Sequence, residues 1–146
     1  MDNYNISIKA FESIIRNLVK LEEEQHIIVE YFAKSAAERS EIVNIIENYI
    51  KTIDQFIINS KQNSRHDRKL PFATIGCEIE VENMFNQNRH KFRLISALEE
   101  NLIYGDVSFL SSLGQTLLLK RPGSIVEVDL PAGRAKCRII SINAII

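Results

Sequence analysis

Apolar residues recur every three or four positions through the first sixty residues of the chain. This spacing puts side chains on one face of an α-helix, whereas a half-buried strand would need a period of two. Neither Gly nor Pro occurs from Ile6 to Asn59, so nothing in this span breaks a helix. The first apolar seam contains Phe11, Ile14, Leu18, Leu21, Ile28 and Phe32, and the second contains Ile42, Ile46, Tyr49, Ile53 and Phe56.

The polar segment 34–40 separates the two seams and predicts a turn. Ser35 followed three positions later by Glu38 has the form of a capping box, which satisfies free backbone N–H groups at a helix start. We therefore predict two antiparallel helices of about 25 residues, each about 37 Å long, with a polar tip near residues 35–41. One unbroken helix that pairs with a second copy of the chain would bury the same seams. The pattern does not show whether the partner helix belongs to the same chain or to another copy.

The second half of the chain follows a different pattern. Residues 61–69 contain no apolar side chain and Pro71 follows, which predicts a linker over 61–71. Alternation with a period of two then predicts strands, and Pro131-Ala132-Gly133 predicts a tight hairpin turn. The predicted strands are 74–81, 90–96, 102–107, 125–130 and 135–142, with a short helix over 111–119.

These elements predict an α+β fold. An N-terminal antiparallel coiled-coil hairpin occupies residues 1–60, and a small domain occupies residues 72–146. In that domain an about five-stranded, mostly antiparallel sheet packs one apolar face against the short helix. The two units differ in charge, since residues 1–60 have a balance of −4 and residues 61–146 a balance of +3.

Composition narrows the class of protein. The chain is 45% hydrophobic and 25% charged, which is typical of a folded globular protein. It has no apolar run long enough to span a membrane and no leader-like start, which predicts a cytoplasmic protein without membrane contact. Cys77 and Cys137 are sixty positions apart in apolar segments and predict buried free thiols. The three scattered histidines form no ligand pair, so we expect no metal site in the isolated protein.

Three stretches of the second half carry a family resemblance. Residues 107–114 read VSFLSSLG, residues 117–124 read LLLKRPGS, and residues 126–133 read VEVDLPAG. In order and spacing these resemble the C-terminal domain of the GreA/GreB transcript-cleavage factors, and TIGCEIEV at 74–81 is similar to that domain's first strand. The departures are Ser112 for the usual Pro, Ser124 for Asp and Ala132 for the first Gly. The resemblance covers about half the chain at motif level and implies an FKBP-like fold for its C-terminal part; for the hairpin the likeness is architectural.

The resemblance implies a transcription factor that binds RNA polymerase, with its hairpin in the secondary channel. In such factors acidic residues at the tip help to hold the catalytic Mg²⁺ of the polymerase, because hard cations prefer carboxylate oxygens. Glu38 and Glu41 have the spacing of the family's acidic pair, but Arg39 lies between them and weakens a negative tip. The expectation is therefore a polymerase-binding protein that is not itself an enzyme, has no cofactor beyond that shared Mg²⁺, and stimulates cleavage weakly or not at all.

Other uses of the two acids stay open. Glu38 can serve as a capping residue and Glu41 as a solvated acid of the first turn, since helix starts favour acids. The other two uses are metal-assisted transcript cleavage and inhibition of the polymerase by plugging its channel. Stacking aromatics are sparse in the second half, which argues against a prolyl isomerase pocket. The main rival function is that of a homodimeric coiled-coil adaptor. A monomer is favoured, but this rival keeps a dimer open. A milder rival resembles the nucleoside-diphosphate-kinase regulators, which have a shorter hairpin.

Basic residues of the second half are candidates for contact with the polymerase or with nucleic acid, including nascent RNA reached through the polymerase complex. Dispersed, solvated positions are the competing interpretation. The candidates with a predicted role are Arg65, Arg68, Lys69, Lys120 and Arg121. The remaining basic residues of the small domain are Arg89, Lys91, Arg93, Arg134, Lys136 and Arg138.

Overall fold

The computed structural model describes residues 4–145 and contains the predicted helical hairpin. Helix α1 spans Ile8–Phe32 and helix α2 spans Ala36–Asn59. The predicted Ser35 cap is present, because its hydroxyl accepts a hydrogen bond from the backbone N–H of Glu38 at 3.1 Å. The chain therefore turns at residues 33–35 and is not an unbroken rod. None of the helices within residues 4–145 is long and apolar enough to cross a membrane.

The two predicted seams pack together within the chain. Leu18, Leu21 and Ile28 of α1 are buried, as are Ile46 and Ile53 of α2. The helices run antiparallel, since Arg39 near the start of α2 forms an ion pair with Glu30 near the end of α1. Burial of one apolar stripe on each helix is what stabilises a hairpin of this kind.

The C-terminal part forms the predicted five-stranded sheet with one short helix. The elements are β3 (Cys77–Asn83), β4 (Arg89–Ile95), β5 (Asp106–Ser108), α3 (Ser112–Leu117), β6 (Ile125–Leu130) and β7 (Gly133–Ala144). The strand order is β5-β4-β3-β7-β6, and every pair is antiparallel except β4 with β5. The core of this unit includes Ile79, Val81, Leu94, Phe109 and Ile139, all nearly inaccessible to solvent.

Two predicted strands begin later in the structure than the sequence predicted. The strand predicted over 102–107 begins only at Asp106, because its first residues form a turn in which the Asp106 N–H donates to the Ile103 carbonyl at 3.1 Å. The strand predicted over 74–81 begins at Cys77, because Gly76 adopts φ +95°, outside the range of a strand. Both cysteines are buried free thiols, as predicted.

A short parallel sheet ties the two ends of the hairpin together and was not predicted. Strand β1 (Tyr4–Ser7) precedes α1, and strand β2 (Ser60–Asn63) follows α2. The two strands pair with each other in parallel. β2 begins the polar segment that predicted a linker over 61–71. The end of that segment is also bonded, since the Leu70 N–H donates to the Ile142 carbonyl at 2.9 Å. The segment is thus hydrogen-bonded to its neighbours on both sides.

Helix α1 crosses the ends of three neighbouring strands. The Ser13 hydroxyl donates to the Ile145 carbonyl, after β7, at 3.5 Å. Asn17 packs so closely against Gly76, before β3, that a Cβ there would overlap its amide. The Ser96 hydroxyl, after β4, donates to the Glu24 carboxylate at 3.2 Å. α1 therefore runs across the sheet towards its β5 edge.

Only the last part of the hairpin extends past the sheet. Beyond Glu24, α1 continues for eight residues to Phe32. At about 1.5 Å per residue this is about 12 Å of helix. The predicted helix lengths are confirmed, but most of α1 lies against the sheet domain, so the free reach of the tip is much shorter than the helix.

Candidate functional site at the hairpin tip

The hairpin tip, residues 35–41, is exposed throughout. Ser35 caps α2 in an extended conformation, and its carbonyl accepts the Arg39 N–H at 2.9 Å. These bonds fix the backbone of the first turn of α2, which contains Glu38; Glu41 follows in the next turn. Both acids are therefore near the leading end of the hairpin.

The tip combines both signs of charge. The Arg39 guanidinium contacts the Glu30 carboxylate at 3.1 Å, and both side chains are more than half exposed. An exposed ion pair of this kind contributes little to stability, and it directs the Arg39 side chain towards α1. Within residues 4–145, no group of three or more His, Cys, Asp and Glu side chains could hold a metal ion.

The basic candidates fall near the base of the hairpin and face solvent. Arg65 lies 3.8 Å from the Asp67 carboxylate, and its guanidinium also donates to the Asn63 side chain at 3.3 Å. The backbone of Arg68 and Lys69 adjoins the end of β7, where the Ala144 N–H donates to the Arg68 carbonyl at 2.8 Å.

The other two basic candidates belong to the turn after α3. The Lys120 carbonyl accepts the Ala73 N–H at 2.8 Å, which places this turn beside the segment that leads into β3. The Arg121 guanidinium donates to the Tyr4 hydroxyl at 2.7 Å. The structure thus brings segments 68–73 and 119–121 together, and it gives Arg121 a partner within the chain.

Sequence reasoning missed the role of Tyr4. Its ring lies 5.0 Å from that of Phe56 and 6.3 Å from that of Phe72, and the Arg121 guanidinium stands 5.8 Å from its centroid. We call this group, Tyr4, Phe56, Phe72 and Arg121, the Tyr4 clasp. It joins β1, the end of α2 and the sheet domain. No periodic pattern marks Tyr4, because it lies in β1, seven positions before the first residue of the helical seam, Phe11.

Comparison with known proteins identifies the family. The family model described as "Transcription elongation factor, GreA/GreB, C-term" matches residues 69–144, which is just over half of the chain. The chain belongs to the GreA/GreB family. The match spans all five strands of the GreA/GreB sheet and its helix α3, which confirms the resemblance that the motifs at 107–133 carried.

Relatives named transcription elongation factor GreA align with this GreA/GreB member. That of Thermoanaerobacter pseudethanolicus is 30% identical over 98 residues, covering 67% of this chain and 62% of the relative. The chain thus spans under two thirds of that relative's length. That of Nitratidesulfovibrio vulgaris is 23% identical and aligns over 97% of this chain and 96% of its own.

A solved structure has the same fold. The transcription elongation factor GreA/GreB from Nitrosomonas europaea superposes with a TM-score of 0.52 at 12% identity, over 98% of this chain and 99% of that one. This likeness supports the α+β architecture of two long helices followed by a sheet domain.

Proposed function

We propose that this chain is a transcription elongation factor that binds RNA polymerase at the secondary channel and stimulates transcript cleavage weakly or not at all. Family membership supports the polymerase as partner, and such a factor works in the cytoplasm. It needs no cofactor of its own, because the Mg²⁺ of the reaction belongs to the polymerase. In this proposal the chain modulates elongation and is not itself an enzyme.

The ion pair at the tip is the observation that carries the weak-cleavage proposal. A tip that supports hydrolysis must lend carboxylate oxygens to a metal that another molecule holds. Here Arg39 lies between Glu38 and Glu41 in the sequence and contacts the Glu30 carboxylate at 3.1 Å. A cation in this part of the tip reduces its negative charge and so makes the approach of Mg²⁺ to the two acids less favourable. The tip also extends only a short distance past the sheet domain, which likewise favours weak stimulation of cleavage.

An assay with purified polymerase and backtracked transcripts tests both the binding to polymerase and the weak stimulation of cleavage. We expect the wild-type chain to bind core RNA polymerase in a pull-down and to produce little shortening of the transcript. Arg39→Ala removes the cation and should increase shortening, whereas Glu38→Ala and Glu41→Ala should change little. Failure to bind the polymerase would contradict the function itself. Robust shortening by the wild type, lost in Glu38→Ala or Glu41→Ala, would contradict weak cleavage alone.

We further propose that Arg68, Lys69 and Lys120 contact an acidic polymerase surface or RNA phosphates. They are exposed, and the backbone bonds described above bring their segments together near the base of the hairpin. Contacts of this type weaken as salt rises. Lys69→Ala and Lys120→Ala should weaken polymerase binding and flatten its salt dependence, with Lys61→Ala as an exposed basic control. Binding that does not respond to salt would exclude this role.

A further inference from the structure

A charged cleft lies on the flank of the hairpin, where α1 crosses the ends of the strands. It encloses about 160 Å³ between α1, the segment before β3 and the end of β4. Pockets for drug-sized ligands enclose roughly 300–1,000 Å³, so this cleft suits a smaller molecule. Leu21, Ile75 and Ile95 line it and are buried, which gives the cleft an apolar floor. An apolar floor lowers the local dielectric constant and strengthens the attraction between a bound ion and the charges around it.

Three cationic side chains line this cleft. Arg16 and Lys20 come from α1, and Arg93 comes from β4. The two residues of α1 are four positions apart, so their side chains lie on the same face of the helix. Both are exposed, and neither forms an ion pair with any residue that the structure describes. The two cations of α1 are therefore available to a ligand that carries negative charge.

Arg93 is held at the cleft by a buried carboxylate. Its guanidinium lies 3.5 Å from a side-chain oxygen of Asp106, and the Asp106 side chain is only 2% exposed. A buried carboxylate that loses its cation is strongly destabilising, so Arg93 keeps this position whether or not a ligand is bound. A guanidinium has five N–H donors, and the contact with Asp106 leaves others for a second anion.

Two carboxylates also line the cleft and limit the charge of its ligand. Glu24 accepts the Ser96 hydroxyl at 3.2 Å, and Glu99 accepts the Asn101 N–H at 3.1 Å. Three cations against two carboxylates leave the lining with a net charge of +1. On α1 the acid lies eight positions, or about 12 Å, beyond Arg16, so the helix offers cations at one end of the cleft and an acid at the other. This arrangement disfavours a long polyanion and favours a compact anion of one or two charges.

We propose that the cleft binds a small oxyanion, a carboxylate or phosphate group of a compact molecule, between Arg16 and Lys20 of α1 and Arg93 of β4. Oxyanions accept charge-assisted hydrogen bonds from guanidinium and ammonium groups, and those bonds are stronger than bonds between neutral groups. The bound anion also offsets the repulsion among the three cations. It connects the hairpin to the sheet domain. The site is independent of the proposed role of the tip, because none of its residues lies within 35–41.

Titration of the full chain with sodium phosphate or sodium acetate, at constant ionic strength, tests the proposal. The amide resonances of Gly76 and Ser96, which line the cleft, should shift and saturate with a dissociation constant of roughly 0.1–10 mM. The anion that saturates the shifts identifies the preferred group. At about ten times its dissociation constant, that anion should raise the Tm by roughly 3–8 °C, because it binds the folded chain.

The two exposed cations of α1 provide variants that leave the fold intact. Arg16→Gln and Lys20→Gln each remove one positive charge from the cleft, so each should raise the dissociation constant about fivefold or more. Lys9→Gln is the matched control, because Lys9 is also an exposed cation of α1 but does not line the cleft. It should bind the anion like the wild type.

Glu99→Gln changes the cleft in the opposite direction. It removes a negative charge but keeps a side-chain oxygen that can accept the Asn101 N–H, so it should bind the anion about threefold more tightly or better. A wild type without saturable shifts in either anion up to about 100 mM would overturn the proposal. Affinity that is unchanged in both Arg16→Gln and Lys20→Gln would overturn it as well. These measurements use the chain alone, so they stand apart from any test of polymerase binding.

Discussion

The hydroxyl of Tyr49, on helix α2, accepts a hydrogen bond from the backbone N–H of Ile75 at 2.8 Å. Both residues are buried, and they are 26 positions apart in the sequence. The bond satisfies a backbone donor at the point where the chain enters β3, and it attaches the hairpin to the sheet domain. A donor left unpaired in this position would have no access to water.

Tyr49→Phe should destabilise the whole chain. The substitution keeps the ring but leaves the buried Ile75 N–H without a partner, which costs about 1–3 kcal/mol. The free energy of unfolding, measured by urea denaturation, should fall by this amount. Tyr31→Phe serves as control, since Tyr31 is 73% exposed. If Tyr49→Phe matches the wild type in stability, the bond does not couple the two units.

Gly114→Ala should disrupt the packing of α3. A Cβ at Gly114 would overlap the carbonyl oxygen of Ser108, which belongs to β5 and cannot move freely. We expect a loss of about 3 kcal/mol, as in an overpacked core. Gly123→Ala is the comparison, because its φ of +89° strains an Ala but nothing lies within 4 Å of the new Cβ. Thermal unfolding should show Gly114→Ala as clearly the less stable, and the opposite order would contradict the predicted clash.

Ser35→Ala should weaken the start of α2. It removes the side-chain acceptor of the Glu38 N–H at the hairpin tip, and the loss of such a cap costs about 0.5–2 kcal/mol. Hydrogen exchange should become faster in the first turn of α2. Ser40→Ala, exposed within the helix, should change stability by less than about 0.5 kcal/mol. Equal exchange rates in the wild type and Ser35→Ala would rule out a role for this cap.

The buried Cys77 predicts a loss of stability in alkali. Burial raises the pKa of its thiol from 9.0 to about 12, so the unfolded chain loses this proton at a lower pH than the folded chain. The free energy of unfolding contributed by this group is complete below about pH 9 and falls as the pH rises towards about 12. Cys77→Ala should therefore show a shallower decline of the urea midpoint between about pH 8 and about pH 11 than the wild type. Parallel declines would exclude a contribution from this thiol.

Local patterns were sufficient to predict much of the fold. Ser35 and Glu38 located the turn of the hairpin, because a cap is defined by residues three positions apart. The predicted strand over 125–130 has the same bounds in the structure, since its apolar and charged residues alternate without interruption. The positions of Glu38 and Glu41 at the tip followed from the same turn.

Contacts between distant segments were not predictable in this way. The four residues of β2 are polar and match no strand pattern, and their pairing with β1 depends on the hairpin that brings the two segments together. The partners of Arg39 and Arg121 lie 9 and 117 positions away in the sequence. Neither the ion pair at the tip nor the Tyr4 clasp leaves a periodic signal, because each is made by the fold and not by local spacing.

The crossing of α1 over the strand ends also governs the order in which the molecule can be completed during synthesis. The hairpin leaves the ribosome first, yet Ser13 bonds to Ile145 and Tyr4 bonds to Arg121, which are translated much later. Its buried face can therefore find these neighbours only after residue 145 has been synthesised and has left the ribosome. Until then the nascent helices expose apolar surface. A truncated product that lacks the sheet domain keeps this surface exposed, and chaperones and proteases recognise it.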